Sequence, residues 1–359
     1  MKKITIKDVA QHSGFSTATV SRVLNGETNF PEATRKKVWA SAHSLGYEPS
    51  IQARNLRSGC VSERIPTNLI MYLFNLPSGN PIGDRVTADS AQMFDWLASQ
   101  RGYYVTTYRY FQNEGFHCPL ILDRLIDGAV IGCPHQDVIE CVSRKVPTVL
   151  LNVGASPLFP EIPRVNAATE TGLRALMLKA FQLGHRKTAL VGSVRTPQVD
   201  YFTLDYISLI LRLASETGFE LTENHRYQPS DLNPGNHEQK MDEIAAVLLT
   251  EIRAGKVSLI FCEDSCYAMS IYSRLTAAGI RIPDEVSMIT VDSSNPTPPN
   301  EYPIAAVMHD WQKLYIAAID VLKELIGGKE LACREFAVPV LINEGKTLGK
   351  VPLHISKYQ

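Results

Sequence analysis

Along the first 45 residues, apolar positions recur at helical spacing in three short stretches. Ile6, Val9 and Ala10 form one stripe ending near Gly14, Val20, Val23 and Leu24 a second, and Val38, Ala42 and Leu45 a third beyond Pro31. With Ser16 suited to an N-cap, the pattern predicts three short helices, the first two joined by the compact turn SGFS. From about Asn68 the pattern changes. The apolar runs LIMYLF (69–74), GAVIG (128–132), PTVLLN (147–152), TALVGS (188–193), SLIFC (258–262) and VSMITVD (286–292) are separated by amphipathic stretches such as 84–100 and 168–183. Continuous apolar strands joined by helices predict parallel sheets covered on both faces, here as two doubly wound lobes. FAVPVLI (336–342) reads as the last strand.

The second helix turns an unusual face outward. Opposite its apolar stripe stand Ser16, Thr17, Ala18, Ser21, Arg22 and Asn25, a set with hydroxyls, a methyl and a guanidinium but no acid. A helix-turn-helix projects such a face into the major groove, where hydroxyls and N-terminal N–H groups meet phosphates and an arginine reaches guanine O6 and N7. Charge agrees with that reading. Residues 1–60 hold nine basic side chains against four acids, a surplus of five positive charges, whereas the remainder carries a net −6 within the overall −1. A basic module on a mildly acidic body points to a polyanionic partner for the first segment alone.

Composition narrows the class. A chain of 359 residues, 45% of them apolar, can bury a sizeable core and hold two or three folding units. The polar residues Thr5, Lys7, Asp8 and Gln11 interrupt any apolar stretch after Lys2 and Lys3, so a signal peptide is not expected, and no run is long enough to span a bilayer. Seven irregularly spaced cysteines suit reduced thiols, and the expected location is the cytoplasm. Enzyme signatures are missing. Gly345-Lys346-Thr347 lacks the upstream glycine of a phosphate loop, because position 340 is valine. His117, His135, His185 and His309, and the pair Cys262 and Cys266, show no metal-ligand spacing and read as core or surface residues, so no metal or cofactor is expected.

KKITIKDVAQHSGFSTATVSRVLNG and TRKKVWASAHSLGYEPSIQARNLRSG together resemble the headpiece and hinge of the LacI (lactose repressor) family of bacterial transcription regulators, from about Thr5 to Gly59. Phe15 stands where the family usually has valine. The resemblance implies that Thr17, Ala18 and Arg22 read bases, and that Thr5, Ser16, Thr19, Ser21 and Asn25 touch phosphates or brace the helix. It also implies that the segment PSIQARNLRSG (49–59), with Ala53, Arg54, Asn55 and Leu56 as DNA contacts, becomes helical on operator DNA and wedges Leu56 into a minor-groove step. RLIDGAVI, KAFQLGHRKTALVGS, AAGIRIPDEVSMITVDSS and YPIAAV extend the resemblance to a body similar to periplasmic sugar-binding proteins, two lobes joined by three crossovers with ligand between them.

The expected architecture is therefore a small all-α helix-turn-helix headpiece at 1–48, a hinge at 49–60, and an α/β effector-binding and dimerisation body of two doubly wound parallel-sheet lobes at 61–359. The effector residues implied by the match are Arg195, Phe202, Glu263, Asp264 and Asp292. Several depart from the family pattern. Phe202 replaces the usual arginine, Asn166 and Ala167 replace an Asp-Asn pair, and Glu263-Asp264 replace Asn-Asp, while Arg195 offers a substitute cation and Asp292 matches. Three readings of the cleft stand: a different small molecule, an anion held by Arg195 among the options, a sugar held by other groups, or no small-molecule effector. The expected function is a dimeric, non-enzymatic regulator, most simply a repressor, with double-stranded operator DNA and a small-molecule effector as partners. A sugar-binding module of the periplasmic type is the alternative. GKTLGKVPLHISKYQ lacks leucine heptads, which favours a homodimer over a tetramer.

Overall fold

The computed structural model describes residues 4–24, 29–47, 66–75, 81–110, 116, 118–122, 124–132, 135–153, 159–192, 206–228, 235–292 and 303–351. Contacts divide the chain into two compact units, Met1–Pro66 and Thr67–Gln359.

In the first unit, α1 (Ile6–Ser13), α2 (Thr17–Leu24) and α3 (Glu32–Leu45) follow the three stripes. Val9, Val20 and Val38 are fully buried, and Ala10, Val23, Leu24 and Ala42 complete a core that the periodicity had marked position by position. Gly14 (φ 76°) and Gly46 (φ 64°) end α1 and α3 in the left-handed conformation that glycine adopts without cost. Phe15 packs against this core with the Lys37 ammonium 5.5 Å from its ring centre, so the exchange for a larger apolar group is accommodated at the edge of the core.

The second unit holds two six-stranded sheets among the described residues. The first has the order β11-β5-β4-β3-β1-β2, with β1 (Leu69–Asn75), β2 (Tyr104–Tyr110), β3 (Gly128–Gly132), β4 (Thr148–Leu151), β5 (Arg164–Ala167) and β11 (Glu335–Val338). The second has the order β12-β10-β9-β8-β6-β7, with β6 (Thr188–Val191), β7 (Arg226–Tyr227), β8 (Leu259–Cys262), β9 (Ser287–Asp292), β10 (Ala305–Met308) and β12 (Leu341–Asn343). Every pairing is parallel except β10 with β12. Helices α4 (Pro81–Ser99), α5 (Pro119–Leu122), α6 (Gln136–Ser143) and α11 (Trp311–Ile326) serve the first lobe, and α7 (Thr169–Gln182), α8 (Tyr206–Thr217), α9 (His237–Arg253) and α10 (Ser265–Ala277) the second. Core clusters on both faces of each sheet explain why the central strands are mostly apolar.

The chain crosses between lobes at three places. It leaves the first sheet after β5 at Ala168, returns after β10 at His309-Asp310, and leaves again after β11 at Pro339-Val340. The last crossing corrects the expectation of a single strand FAVPVLI. Val338 ends a parallel pairing with β5 in one lobe, and Leu341 begins an antiparallel pairing with β10 in the other. Proline has no N–H to continue the ladder, so Pro339 stops β11 and turns the chain over.

The Gly345-Lys346-Thr347 triplet proves to be a structural joint. Thr347 is buried, its hydroxyl donating to the Met288 carbonyl (2.7 Å) and accepting from the Ala305 N–H (2.9 Å). Gly345 has φ 54°, and a Cβ placed there would lie 2.5 Å from the Ala305 nitrogen and 2.6 Å from the Ile304 carbonyl carbon. Gly345→Ala is expected to destabilise the second lobe by about 2 kcal/mol through left-handed strain and backbone overlap. Thermal unfolding of the full chain checks this, and an unchanged midpoint would show that the joint relaxes freely.

Candidate DNA interface and interlobe site

On α2 the inward positions are filled by Val20, Val23 and Leu24, which leaves Thr17, Ala18 and Arg22 exposed, with Ser21 half-buried. Ser16 starts this helix. Its Oγ accepts the Thr19 N–H at 3.1 Å and lies 2.9 Å from the Thr19 hydroxyl, so Ser16 and Thr19 brace the first turn. Thr5 does the same for α1, donating its N–H (2.7 Å) and hydroxyl (2.6 Å) to Asp8 Oδ2. That commits the only acid of α1 to capping and removes it from the outward face.

Thr17, Ala18, Ser21 and Arg22 line a recess of about 300 Å³ with Ile6 and Lys7 from α1. In the sequence Lys7 stood out only through the charge balance and as an interruption of the apolar stretch. Its place i+1 from the apolar Ile6, beside the projecting helix, was the signal that identifies it as a second cation of the same surface. A recess edged by one guanidinium, one ammonium and two hydroxyls offers donors to phosphate and base edges and no carboxylate to repel them. Asn25, Ala53, Arg54, Asn55 and Leu56 lie outside the described residues.

In the body, polar groups gather at the carboxyl ends of strands near the crossovers. Glu263, directly after β8, is 1% exposed, and a Cβ on Gly192, directly after β6, would meet its Oε2 at 2.9 Å. Asp264 is the N-cap of α10, accepting N–H bonds from Cys266 (2.8 Å) and Tyr267 (3.1 Å) through Oδ1. Asp292 ends β9, but its side chain is outside the described atoms, as are Arg195 and Phe202 entirely.

The sequence reading missed a buried network around His309, which it had placed among core or surface histidines. Asn152, just beyond β4 with φ 50°, accepts the Ala167 N–H through Oδ1 (3.2 Å), so its Nδ2 faces His309 Nδ1 at 3.3 Å. The amide can only donate there, which puts the imidazole proton on Nε2, where it donates to the Thr169 hydroxyl at 2.9 Å, with the Tyr206 hydroxyl at 3.4 Å. One imidazole thus joins the end of β4, the first crossover, the second crossover and α8. Burial holds the His309 pKa down to about 4. The signal available beforehand was position: polar residues directly after apolar strands in an open α/β sheet face the ligand crevice. Among the described residues, no group of histidines, cysteines and acids could hold a metal ion.

A helix-turn-helix unit with a cationic recess, followed by a two-lobed body whose strand ends meet polar crossovers, is the arrangement of a DNA-binding regulator. Residues 5–50 match the model of bacterial regulatory proteins of the lacI family, and residues 180–347 match a periplasmic binding protein-like domain. The chain is 25% identical over 336 residues to the HTH-type transcriptional repressor PurR of Photobacterium profundum, covering 92% of this chain and 95% of the relative. PurR of Vibrio atlanticus is 25% identical over 351 residues, covering 96% and 98%. Among solved structures, the lac repressor dimer bound to operator and the anti-inducer ONPF has the same fold, with TM-score 0.68 at 20% identity over 97% of this chain and all of the other. The CelR-cellobiose complex of a transcriptional regulator matches with TM-score 0.56 at 19% identity, over 96% and 100%. Residues 5–50 thus match the DNA-binding domain of the lacI family, the chain is similar over nearly its whole length to transcriptional repressors, and its function class is DNA-binding regulation of transcription.

Proposed function

We propose that the protein is a homodimeric repressor that recognises a pseudo-palindromic operator in duplex DNA and responds to a small molecule held between its lobes. The acid-free recess on α2, with Thr17, Ala18 and Arg22 exposed above a fully apolar inner face, carries this reading. Arg22 pairs with guanine, Thr17 and Ala18 contact neighbouring bases, and Ser21, Lys7 and the braced first turn of Ser16 and Thr19 face phosphates. Asn25 extends that contact, and residues 49–60, with Ala53, Arg54, Asn55 and Leu56, form the hinge between a headpiece at 1–48 and a body at 61–359. One short recognition helix reads only a few base pairs, so two copies related by a two-fold axis are needed for a site of useful length. Relatives named as repressors over almost their whole length, and a lac repressor dimer on operator with the same fold, support the repressor and dimer readings. A duplex DNA partner supports a cytoplasmic location. No helix among the described residues is long and apolar enough to cross a membrane.

The effector site is proposed at the carboxyl ends of the strands, where Glu263, Asp264, Asp292, Arg195 and Phe202 fall in sequence and where Asn152 and His309 are placed. The lost arginine at Phe202 and the acid at Glu263 set it apart from the usual sugar pattern of the family. Sedimentation of the full chain at micromolar concentration is expected to give a dimer with or without ligand, and a monomer would contradict the reading. Thermal shifts with sugars, sugar phosphates, sugar acids and nucleobases are expected to show stabilisation by one class. No shift with any of them would leave a regulator without a small-molecule effector.

A further inference from the structure

The second compact unit begins at Thr67, and its first two residues converge on one carboxylate. Asp127 Oδ1 accepts the Thr67 N–H (3.0 Å) and the Thr67 hydroxyl (2.9 Å), and Oδ2 accepts the Asn68 N–H (2.7 Å). Asp127 is only 5% exposed. Its own N–H donates to the Leu69 carbonyl (2.7 Å), and the Tyr104 N–H donates to the Asn68 carbonyl (2.7 Å), so the entrances of β1, β2 and β3 are tied at this one place. Asn68 has φ 55°, a left-handed bend that costs a non-glycine residue free energy unless its surroundings hold it.

A turn-forming aspartate at a strand start would explain one of these bonds. It does not explain why both oxygens are spent on two consecutive residues at the junction, across 60 and 59 positions of sequence, or why a left-handed bend is held there. A carboxylate accepting three donors in a nearly dry setting fixes direction as well as position, because charge-assisted bonds are short and angularly demanding.

We propose that Asp127 is a positioning residue for DNA binding: by clamping Thr67 and Asn68 it fixes where, and in which direction, the chain from the headpiece enters the body. The inference rests on the dimeric operator reading above. Two headpieces on a two-fold site must keep one spacing, and a loosened entry point spreads the population over spacings that do not fit. Contacts of a single headpiece with any duplex need no such spacing.

Asp127→Asn keeps one acceptor oxygen but turns an N–H₂ toward a backbone N–H, while Thr67→Ala removes the two bonds of the hydroxyl, to Asp127 Oδ1 and from the Leu69 N–H, and leaves both backbone N–H bonds to the carboxylate. Full-length wild type and both variants are measured on DNA fragments selected by the wild type and on random duplex. Amide hydrogen exchange is followed at residues 67–69 and, for reference, in β8 and β9. The expected result for Asp127→Asn is a loss of at least about tenfold in preference for selected over random DNA, with random-duplex affinity unchanged and faster exchange confined to 67–69. Thr67→Ala is expected to move both readouts the same way by less. An unchanged preference despite faster local exchange, or a loss of protection that extends to β8 and β9, would overturn the positioning role and leave a purely structural one. Failure of the wild type itself to select DNA would overturn the functional reading instead, and that outcome is read before either variant is measured.

Discussion

Replacing Arg22 with alanine is expected to lower discrimination at one base pair by about 1–3 kcal/mol in each half-site, which across a two-fold site is the largest single-residue effect foreseen for DNA binding. The reason lies in how α2 is built. Its inner face is closed by Val20, Val23 and Leu24, so Arg22 makes no contribution to the core and stands exposed beside Thr17, Ala18 and Ser21. A guanidinium there presents two parallel N–H donors, the geometry that guanine O6 and N7 accept and that no other base edge in the major groove matches. Lys7, on the same recess, is a point charge and should behave differently. Its replacement by alanine is expected to weaken binding about equally on all sequences and to lower the salt dependence by about one counterion. Competition of selected against single-base-altered duplexes, at two salt concentrations, separates the two. Equal discrimination in wild type and Arg22→Ala would remove Arg22 from base reading.

Acidification from pH 6.5 to pH 4 is expected to cost the body about 3 kcal/mol through His309 alone, about 2 kcal/mol of it by pH 5. Burial is the cause of the depressed pKa of about 4. The hydrogen bonds act in the same direction, since a proton on Nδ1 would oppose the Asn152 amide N–H₂, itself oriented by the Ala167 N–H. In the unfolded chain an ordinary histidine takes up its proton near pH 6.5, so between that value and the folded pKa the unfolded state binds more protons. Stability is therefore complete above pH 6.5 and falls as pH drops through the window. His185, buried and bonded to the Ser258 hydroxyl and the Gly349 carbonyl, is lowered as well and adds in the same sense. His309→Gln keeps an acceptor for Asn152 and a donor for Thr169 but does not titrate. Urea unfolding at pH 7 and pH 5 is expected to show a smaller loss for His309→Gln than for wild type, by about 2 kcal/mol. Parallel losses in the two proteins would show that the network does not hold His309 neutral.

What was legible in the sequence was local. Val9, Val20 and Val38 declare the headpiece core by spacing alone, and Ser16 declares a helix start, because each depends only on residues within a few turns. The central strands β1, β3, β4, β6, β8 and β9 were legible for the same reason, their burial on both faces making them mostly apolar. Strands that owe their place to distant partners were not. Tyr104–Tyr110 is an edge strand rich in threonine and tyrosine, with Tyr104 73% exposed, and Arg164–Ala167 is short, with two polar residues in four. In FAVPVLI, Pro339 marks a break, but nothing in seven residues says that the two halves pair with β5 and β10 in different lobes.

The candidate sites divide along the same line. Thr17, Ala18 and Arg22 could be picked out because one helix carries them all. The His309 network joins residues 152, 167, 169, 206 and 309, and no spacing along the chain relates them. Asp264 answers to a local rule as well: its Oδ1 caps α10, and its place in the effector site stays a proposal.

Selection of bound fragments from a random duplex library by the purified full-length protein, sequenced after several rounds, bears most directly on the role given to α2. The expected result is a single motif of two inverted half-sites with guanine at a fixed place in each, weakened at that place when Arg22→Ala replaces the wild type. Enrichment of no motif, or of one without two-fold symmetry, in the presence and absence of candidate effectors, would contradict a paired headpiece that reads the major groove.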